Sequence, residues 1–182
     1  MADLAEELES AVSSSDAVSL DRGTLDRERA GHLLAYSAQF LYLTVVDDSF
    51  RLDGYQVLSR SEIRAASTDS PRSQLLRAAL ALHGVLKPER FPAVDLSDMR
   101  SVLKSVESTH SVVVIERERL HPGECELGRL KLTSDDRYSL RWLSPSAVWE
   151  HDARTFRYSD ITRVAFGGRY ETTLAELADR AS

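Results

Sequence analysis

Residues Gly128 to Tyr170 read GRLKLTSDDRYSLRWLSPSAVWEHDARTFRYSDITRVAFGGRY, and a second version of this stretch stands about one hundred residues earlier: GHLLAYSAQFLYLTVVDDSFRLDGYQVLSRSEIR, from Gly31 to Arg64. Gly31 falls on Gly128, Leu33 on Leu130 and Leu43 on Leu140. Further on, Ser61, Glu62 and Ile63 fall on Ser159, Asp160 and Ile161, so the offset has slipped by one residue, which a hairpin loop would absorb. Self-similarity at a fixed spacing marks a duplicated structural unit. The chain is therefore expected to hold two small β units with helices around them.

Working outward from the repeat, the first copy divides into strands at GHLLAYS, QFLYLTVVDD and YQVLS, which are rich in aromatic, β-branched and leucine residues. Ser37 and Ala38 provide one tight connection, and Asp47, Asp48 and Ser49 the next. In the strand that Gly54 opens, Tyr55, Val57 and Ser59 alternate with Gln56 and Leu58. Before it, Leu4, Leu8 and Val12 recur at helical spacing, which predicts a short amphipathic helix across an open end of the unit. From Val18 to Glu28 charge and turn formers predict an irregular segment bending at Gly23.

Between the copies the pattern becomes helical. Ser70 is an N-cap with Pro71 at the first helical position and Gly84 at the C-terminal cap, and Leu75, Leu76, Ala79 and Leu82 form the expected buried stripe. Lys87 to Pro92 reads as an extended connector. A further helix, N-capped by Asp95, buries Met99, Val102, Leu103 and Val106. The second copy adds a strand over SVVVIERERL, a turn at His121, Pro122 and Gly123, strands over CELGRLKLTS, RYSLRWLS and VWEHD, and a closing segment carrying Ile161, Val164 and Phe166. Thr173 and Glu176 form a capping box for a terminal helix bearing Leu174 and Leu177. The expected divisions are 1–67 for the first helix and β unit, 68–108 for a helical connector, and 109–182 for the second β unit and its helix.

Short bent strands, a preceding helix and duplication at this size resemble small barrels of the Sm or SH3 type. From Ser111 to Leu177 the chain also resembles a set of uncharacterised bacterial proteins with a Cys, Ile or Leu, Gly block and a later Ser, Asp, Ile, Thr, x, Val, x, Phe, Gly block. Those blocks here are Cys125 to Gly128 and Ser159 to Gly167. The resemblance implies an α+β, mainly β fold of two tandem small barrels or strongly bent antiparallel sheets joined by a two-helix segment. It also implies RNA binding, as is common among Sm-like proteins.

Composition bounds the function. A chain of 182 residues, 42% hydrophobic and 29% charged, is globular. A net charge of -6 opposes a surface wholly given to nucleic acid, leaving only a local basic patch. One cysteine excludes an internal disulfide and suits a reducing compartment. The N-terminus has neither the basic flank nor the apolar run of a signal peptide, and no stretch reaches the ~20 apolar residues of a membrane span. The expected location is the cytoplasm, without membrane contact.

No phosphate loop, nucleophile elbow, zinc-protease helix or dinucleotide fingerprint occurs, so no catalytic residue, cofactor or metal is assigned. Cys125 with His121 falls short of a thiol or zinc site, because no third ligand has suitable spacing. Asp47, Asp48, Asp53, Asp135 and Asp136 lack calcium-loop spacing and read as turn chemistry. Gly167, Gly168 and Arg169 could form an anion nest or, more simply, a left-handed entry to a helix. Trp142 reads as core, while Trp149 is open between core and ligand groove. Arg129, Lys131, Arg141 and Arg163 are the candidate nucleic-acid contacts, since alternate strand positions place several on one sheet face. The leading expectation is a non-catalytic protein acting through protein contacts or self-association; the alternative is an Sm-like binder of RNA or other nucleic acid.

Overall fold

A computed structural model describes residues 4–14, 16–23, 29–85 and 87–181. The chain is α+β and mainly β, and it divides into two units, Met1–Phe91 and Pro92–Ser182. The division runs through the stretch 68–108 that the sequence suggests as a connector, giving one helix to each unit.

The first unit comprises α1 (Leu4–Ser13), β1 (Ala17–Asp21), β2 (Arg29–Tyr36), β3 (Phe40–Val46), β4 (Leu52–Ser59), a 3-10 turn (Arg60–Glu62), β5 (Ala65–Ser67) and α2 (Pro71–Leu82). The second repeats every step: α3 (Met99–Glu107), β6 (Val113–Glu116), β7 (Glu126–Leu132), β8 (Arg137–Leu143), β9 (Trp149–Arg157), a 3-10 turn (Tyr158–Asp160), β10 (Arg163–Phe166) and α4 (Arg169–Ala181). Within the units the strand orders are β5-β1-β2-β3-β4 and β10-β6-β7-β8-β9, antiparallel throughout. Neither sheet closes into a barrel by pairing the two ends of its own order.

The duplication extends to register. Val18 pairs with Gly31 and Val113 with Gly128. A Cβ on Gly31 would lie 2.3 Å from the Thr44 carbonyl oxygen, and one on Gly128 2.3 Å from that of Arg141. Both glycines are thus required by the same close approach of backbone, at equivalent points of two bent sheets. The hairpins after β3 and β8 also match. Asp47 N–H donates to Arg51 O and Ser144 N–H to Val148 O, and Phe50 (φ 57°) and Ala147 (φ 56°) occupy the same left-handed position. The one-residue slip therefore lies outside the hairpin loop. It is a larger bulge in β9: Glu150, His151 and Asp152 stand between Trp149 and Ala153, where Asp53 and Gly54 stand between Leu52 and Tyr55.

Curling of the sheets builds the cores. In the first unit Leu8 and Ala11 of α1 join Val18 and Leu20 of β1, Leu41 and Leu43 of β3 and Leu58 of β4 in one buried cluster, although β1 and β4 are not neighbours in the order. In the second, α3 buries Val102, Leu103 and Val106, and the Arg117 guanidinium beyond β6 sits 4.1 Å over the Phe156 ring of β9.

Several elements depart from the sequence expectation. Residues 17–21 form a strand because Ala17, Val18, Ser19 and Leu20 are all buried, which removes the alternation by which a strand is recognised. β6 ends at Glu116, where the chain turns and buries Glu118 against the Thr162 hydroxyl, 2.6 Å away. α2 keeps the Ser70 cap, whose oxygen accepts from Ser73 N–H, but its buried residues are Ser73, Leu76 and Leu80; Leu75 and Leu82 are exposed. α3 is capped by Asp98, not Asp95, which instead accepts from Ser97 N–H in the preceding turn. α4 starts at Arg169, ahead of the expected capping box.

Candidate functional site: a cationic sheet face

Residues directly opposite one another on adjacent strands share a face. In the second unit Leu130, Leu140 and Tyr138 point to the core, so their sequence neighbours point outward. The outward set is Arg129 and Lys131 on β7, Arg137, Ser139 and Arg141 on β8, and Ala153, Thr155 and Arg157 on β9. Five of these eight side chains are cationic and none is acidic.

Two cross-strand pairs on this face are arginine against arginine: Arg129 opposite Arg141, and Arg137 opposite Arg157. Like charges directly opposite destabilise a sheet, by roughly 0.2–1 kcal/mol per pair. The first pair is partly relieved. Both guanidiniums lie over the Trp149 ring, at 4.5 Å and 5.6 Å from its centroid, and Arg129 also pairs with Asp179 of α4. Among the described residues the second pair has only a long contact, 3.6 Å, from Arg137 to its exposed neighbour Asp136. Lys131, Arg141 and Arg157 are exposed and make no ion pair with a described carboxylate. Between the two arginine pairs the Ser139 and Thr155 hydroxyls hydrogen-bond at 3.0 Å, adding polar groups to the centre.

Three of the four candidate cations, Arg129, Lys131 and Arg141, thus share the face. Arg163 does not. It lies on β10, is buried, and pairs with Glu116 directly opposite on β6. Arg137 and Arg157 also belong to the face: Arg157 escapes a reading that ends β9 at Asp152, whereas Arg137 lies within the expected strand RYSLRWLS, where the same period of two that selects Arg141 places it on this side. Trp149 is buried, its indole N–H donating to Asp179 at 2.9 Å. Trp142 is only half-buried, with the Arg154 guanidinium 3.8 Å from its ring.

The other candidates are disposed differently. At Gly167, Gly168 and Arg169 the anion seat is filled internally: Gly168 N–H donates to Glu171 Oε1 at 2.7 Å, and a Cβ on Gly168 would strike that carboxylate. This contact caps α4, and Gly167, at φ 75°, makes the turn into it. Cys125 lies at the surface, with desolvation, then Glu116, holding its thiol pKa above the ordinary value; Arg163 works against that rise. His121 faces Glu124 at 3.9 Å. Among the described residues no three His, Cys, Asp or Glu side chains are grouped to hold a metal ion, and no helix is long and apolar enough to cross a membrane.

No family model, curated protein or solved structure matches this chain.

Proposed function

We propose that the chain is a non-catalytic cytoplasmic binding protein of two Sm-like units, in which the outer face of β7, β8 and β9 binds the phosphate backbone of single-stranded nucleic acid. The observation that carries this reading is the pair of arginine oppositions on one face, in which Arg137, Arg141 and Arg157 are exposed while Arg129 is paired with Asp179. A sheet stable for its own sake would not place like charges across both ends of one face. The composition favours nucleic acid over protein, because protein interfaces centre on apolar or aromatic anchors whereas nucleic-acid interfaces are polar and strongly cationic. A sheet face without a projecting helix or ribbon does not enter a duplex groove, so a single strand fits it better. With Trp149 covered, the outward residues of β7, β8 and β9 offer no ring for base stacking, and binding should be nearly independent of sequence.

The test is fluorescence anisotropy of a labelled single-stranded RNA over a range of salt. Engagement of three or four cations predicts a slope of log K against log salt of about -2 to -3. Replacing both Arg141 and Arg157 with Ser should make the slope shallower by about 1.4, with the circular dichroism unchanged. No binding even at low salt would overturn the proposal, since phosphate contacts are strongest there.

A second reading, contact with a protein partner, has its own observation. Leu75 and Leu82 lie on the exposed side of α2, one apolar position seven residues from the next, as on a helix that docks into a partner's groove. Light scattering and pull-down of Leu75→Ser/Leu82→Ser beside the wild type would decide it: unchanged mass and unchanged captured proteins remove this reading.

A further inference from the structure

The ends of the two outer faces are covered by equivalent helices held in different ways. In the first unit α2 presses Leu76 and Leu80, both buried, onto Ala17 with Ala30, Val46 and Phe50. In the second, α4 covers the corresponding Val112, Leu127, Leu143 and Ala147, and Trp149 beside them, with Ala175, Ala178 and a half-buried Leu174. At the position of Leu80 stands Ala178, so apolar contact is reduced where the helix meets the strands. A polar clip is present instead. Asp179 accepts from the Trp149 indole N–H with one carboxylate oxygen and pairs with Arg129 through the other. Both side chains of that ion pair are substantially open to water, 39% for Arg129 and 44% for Asp179, so ions in solution can compete for it.

We infer that α4 is a latch on the cationic face, with the Asp179 carboxylate seated on the Arg129 guanidinium in the place an anionic ligand oxygen would take. This rests on the reading of the face as a phosphate-binding surface. A phosphate reaching Arg129 must displace Asp179, and loss of the clip leaves the C-terminal half of the helix held by Ala175, Ala178 and Leu174, with the Glu171 cap holding only its start. Lifting α4 uncovers Trp149 between Arg129 and Arg141, adding a stacking ring to a face that otherwise reads only backbone. Ligand binding and docking of α4 therefore oppose one another, and by linkage the opposition is reciprocal.

The experiment compares wild type with Asp179→Asn, which keeps an oxygen for the indole N–H and removes the charge. Glu176→Gln, a neighbouring exposed position on α4, is the control. Hydrogen exchange of α4 is followed across salt concentrations and with single-stranded RNA, and RNA affinity is measured by anisotropy. The latch predicts that α4 protection in the wild type falls with salt and with RNA. It further predicts that Asp179→Asn abolishes the salt dependence and binds RNA about 1.5- to 5-fold more tightly, the worth of one exposed ion pair, while Glu176→Gln changes neither. Affinity of Asp179→Asn equal to or below that of wild type overturns it, as does α4 protection indifferent to salt. If no protein binds RNA at low salt, the nucleic-acid reading falls, and the salt dependence of α4 protection alone decides whether the clip holds the helix.

Discussion

The outer faces of the two units occupy the same place in the same topology and have opposite chemistry. Opposite pairs on the first face are Phe40 with Ser59, Tyr42 with Val57 and Thr44 with Tyr55; the equivalent pairs on the second are Arg137 with Arg157, Ser139 with Thr155 and Arg141 with Ala153. Phe40, Tyr42, Thr44, Val57 and Ser59 are buried, with Phe91 edge-on to Tyr42 at a centroid distance of 5.9 Å. Five of the six on the second face are exposed, and the sixth, Ser139 at its centre, is buried. Inward positions show no such divergence: Leu41 and Leu43 correspond to Tyr138 and Leu140, all buried. Duplication has preserved the sheet and its core while one outer face became interior and the other became surface. The surface copy is where a binding role can reside.

Equivalent frameworks require the two glycines to be equally intolerant of a side chain. Gly31→Ala and Gly128→Ala each force a Cβ onto a backbone carbonyl, which cannot rotate aside as a side chain can. Each should cost about 3 kcal/mol, the upper part of the range for overpacking. Chemical denaturation of both variants is the measurement, and a cost at one glycine alone would show that only one sheet bends there. Exchanging face residues sharpens the point. Phe40→Arg buries a charge in place of a ring, at a cost of about 3 kcal/mol or more. Arg137→Phe, on an exposed strand position, should shift stability by less than about 0.5 kcal/mol. Equal costs for the two substitutions would erase the distinction between an interior face and an open one.

Local features of the two units are written in their residue types, whereas features set by strand pairing are not. The paired glycines, the hairpin acids and the Ser70 cap are local, and the residue types alone point to their geometry. The period of two placed Arg129, Lys131 and Arg141 on one side because each lies within a strand recognisable by its leucines. Arg163 has the same local appearance, yet its neighbour is Glu116 on a strand 47 positions earlier, and only the pairing register shows that its charge is neutralised. Arg157 was hidden for the opposite reason: β9 is polar along most of its length, and its strand character comes from pairing with β8, not from its own composition. α2 misleads through its leucines. Its underside is set by Ser73, whose hydroxyl donates to Ser67 O at 2.6 Å, and the leucines in register with it are Leu76 and Leu80.

The smallest expected effect isolates charge from packing. Arg157 lies opposite Arg137, whereas the first unit has Ser59 opposite Phe40, so Arg157→Ser puts into the second face the residue its duplicate already carries. The side chain is exposed and makes no described ion pair, so its removal forfeits little contact and relieves one like-charge opposition. Stability should rise by about 0.5 kcal/mol at low salt. Repulsion across a strand pair at the surface is screened as ionic strength increases, so the gain should shrink toward zero in ~1 M salt. Thermal denaturation of both proteins over a salt series measures this directly. A loss of stability would mean that Arg157 is held by contacts that outweigh its repulsion. A gain independent of salt would assign the effect to strand propensity instead of charge, and would remove the like-charge argument for reading this face as a site kept open for an anion.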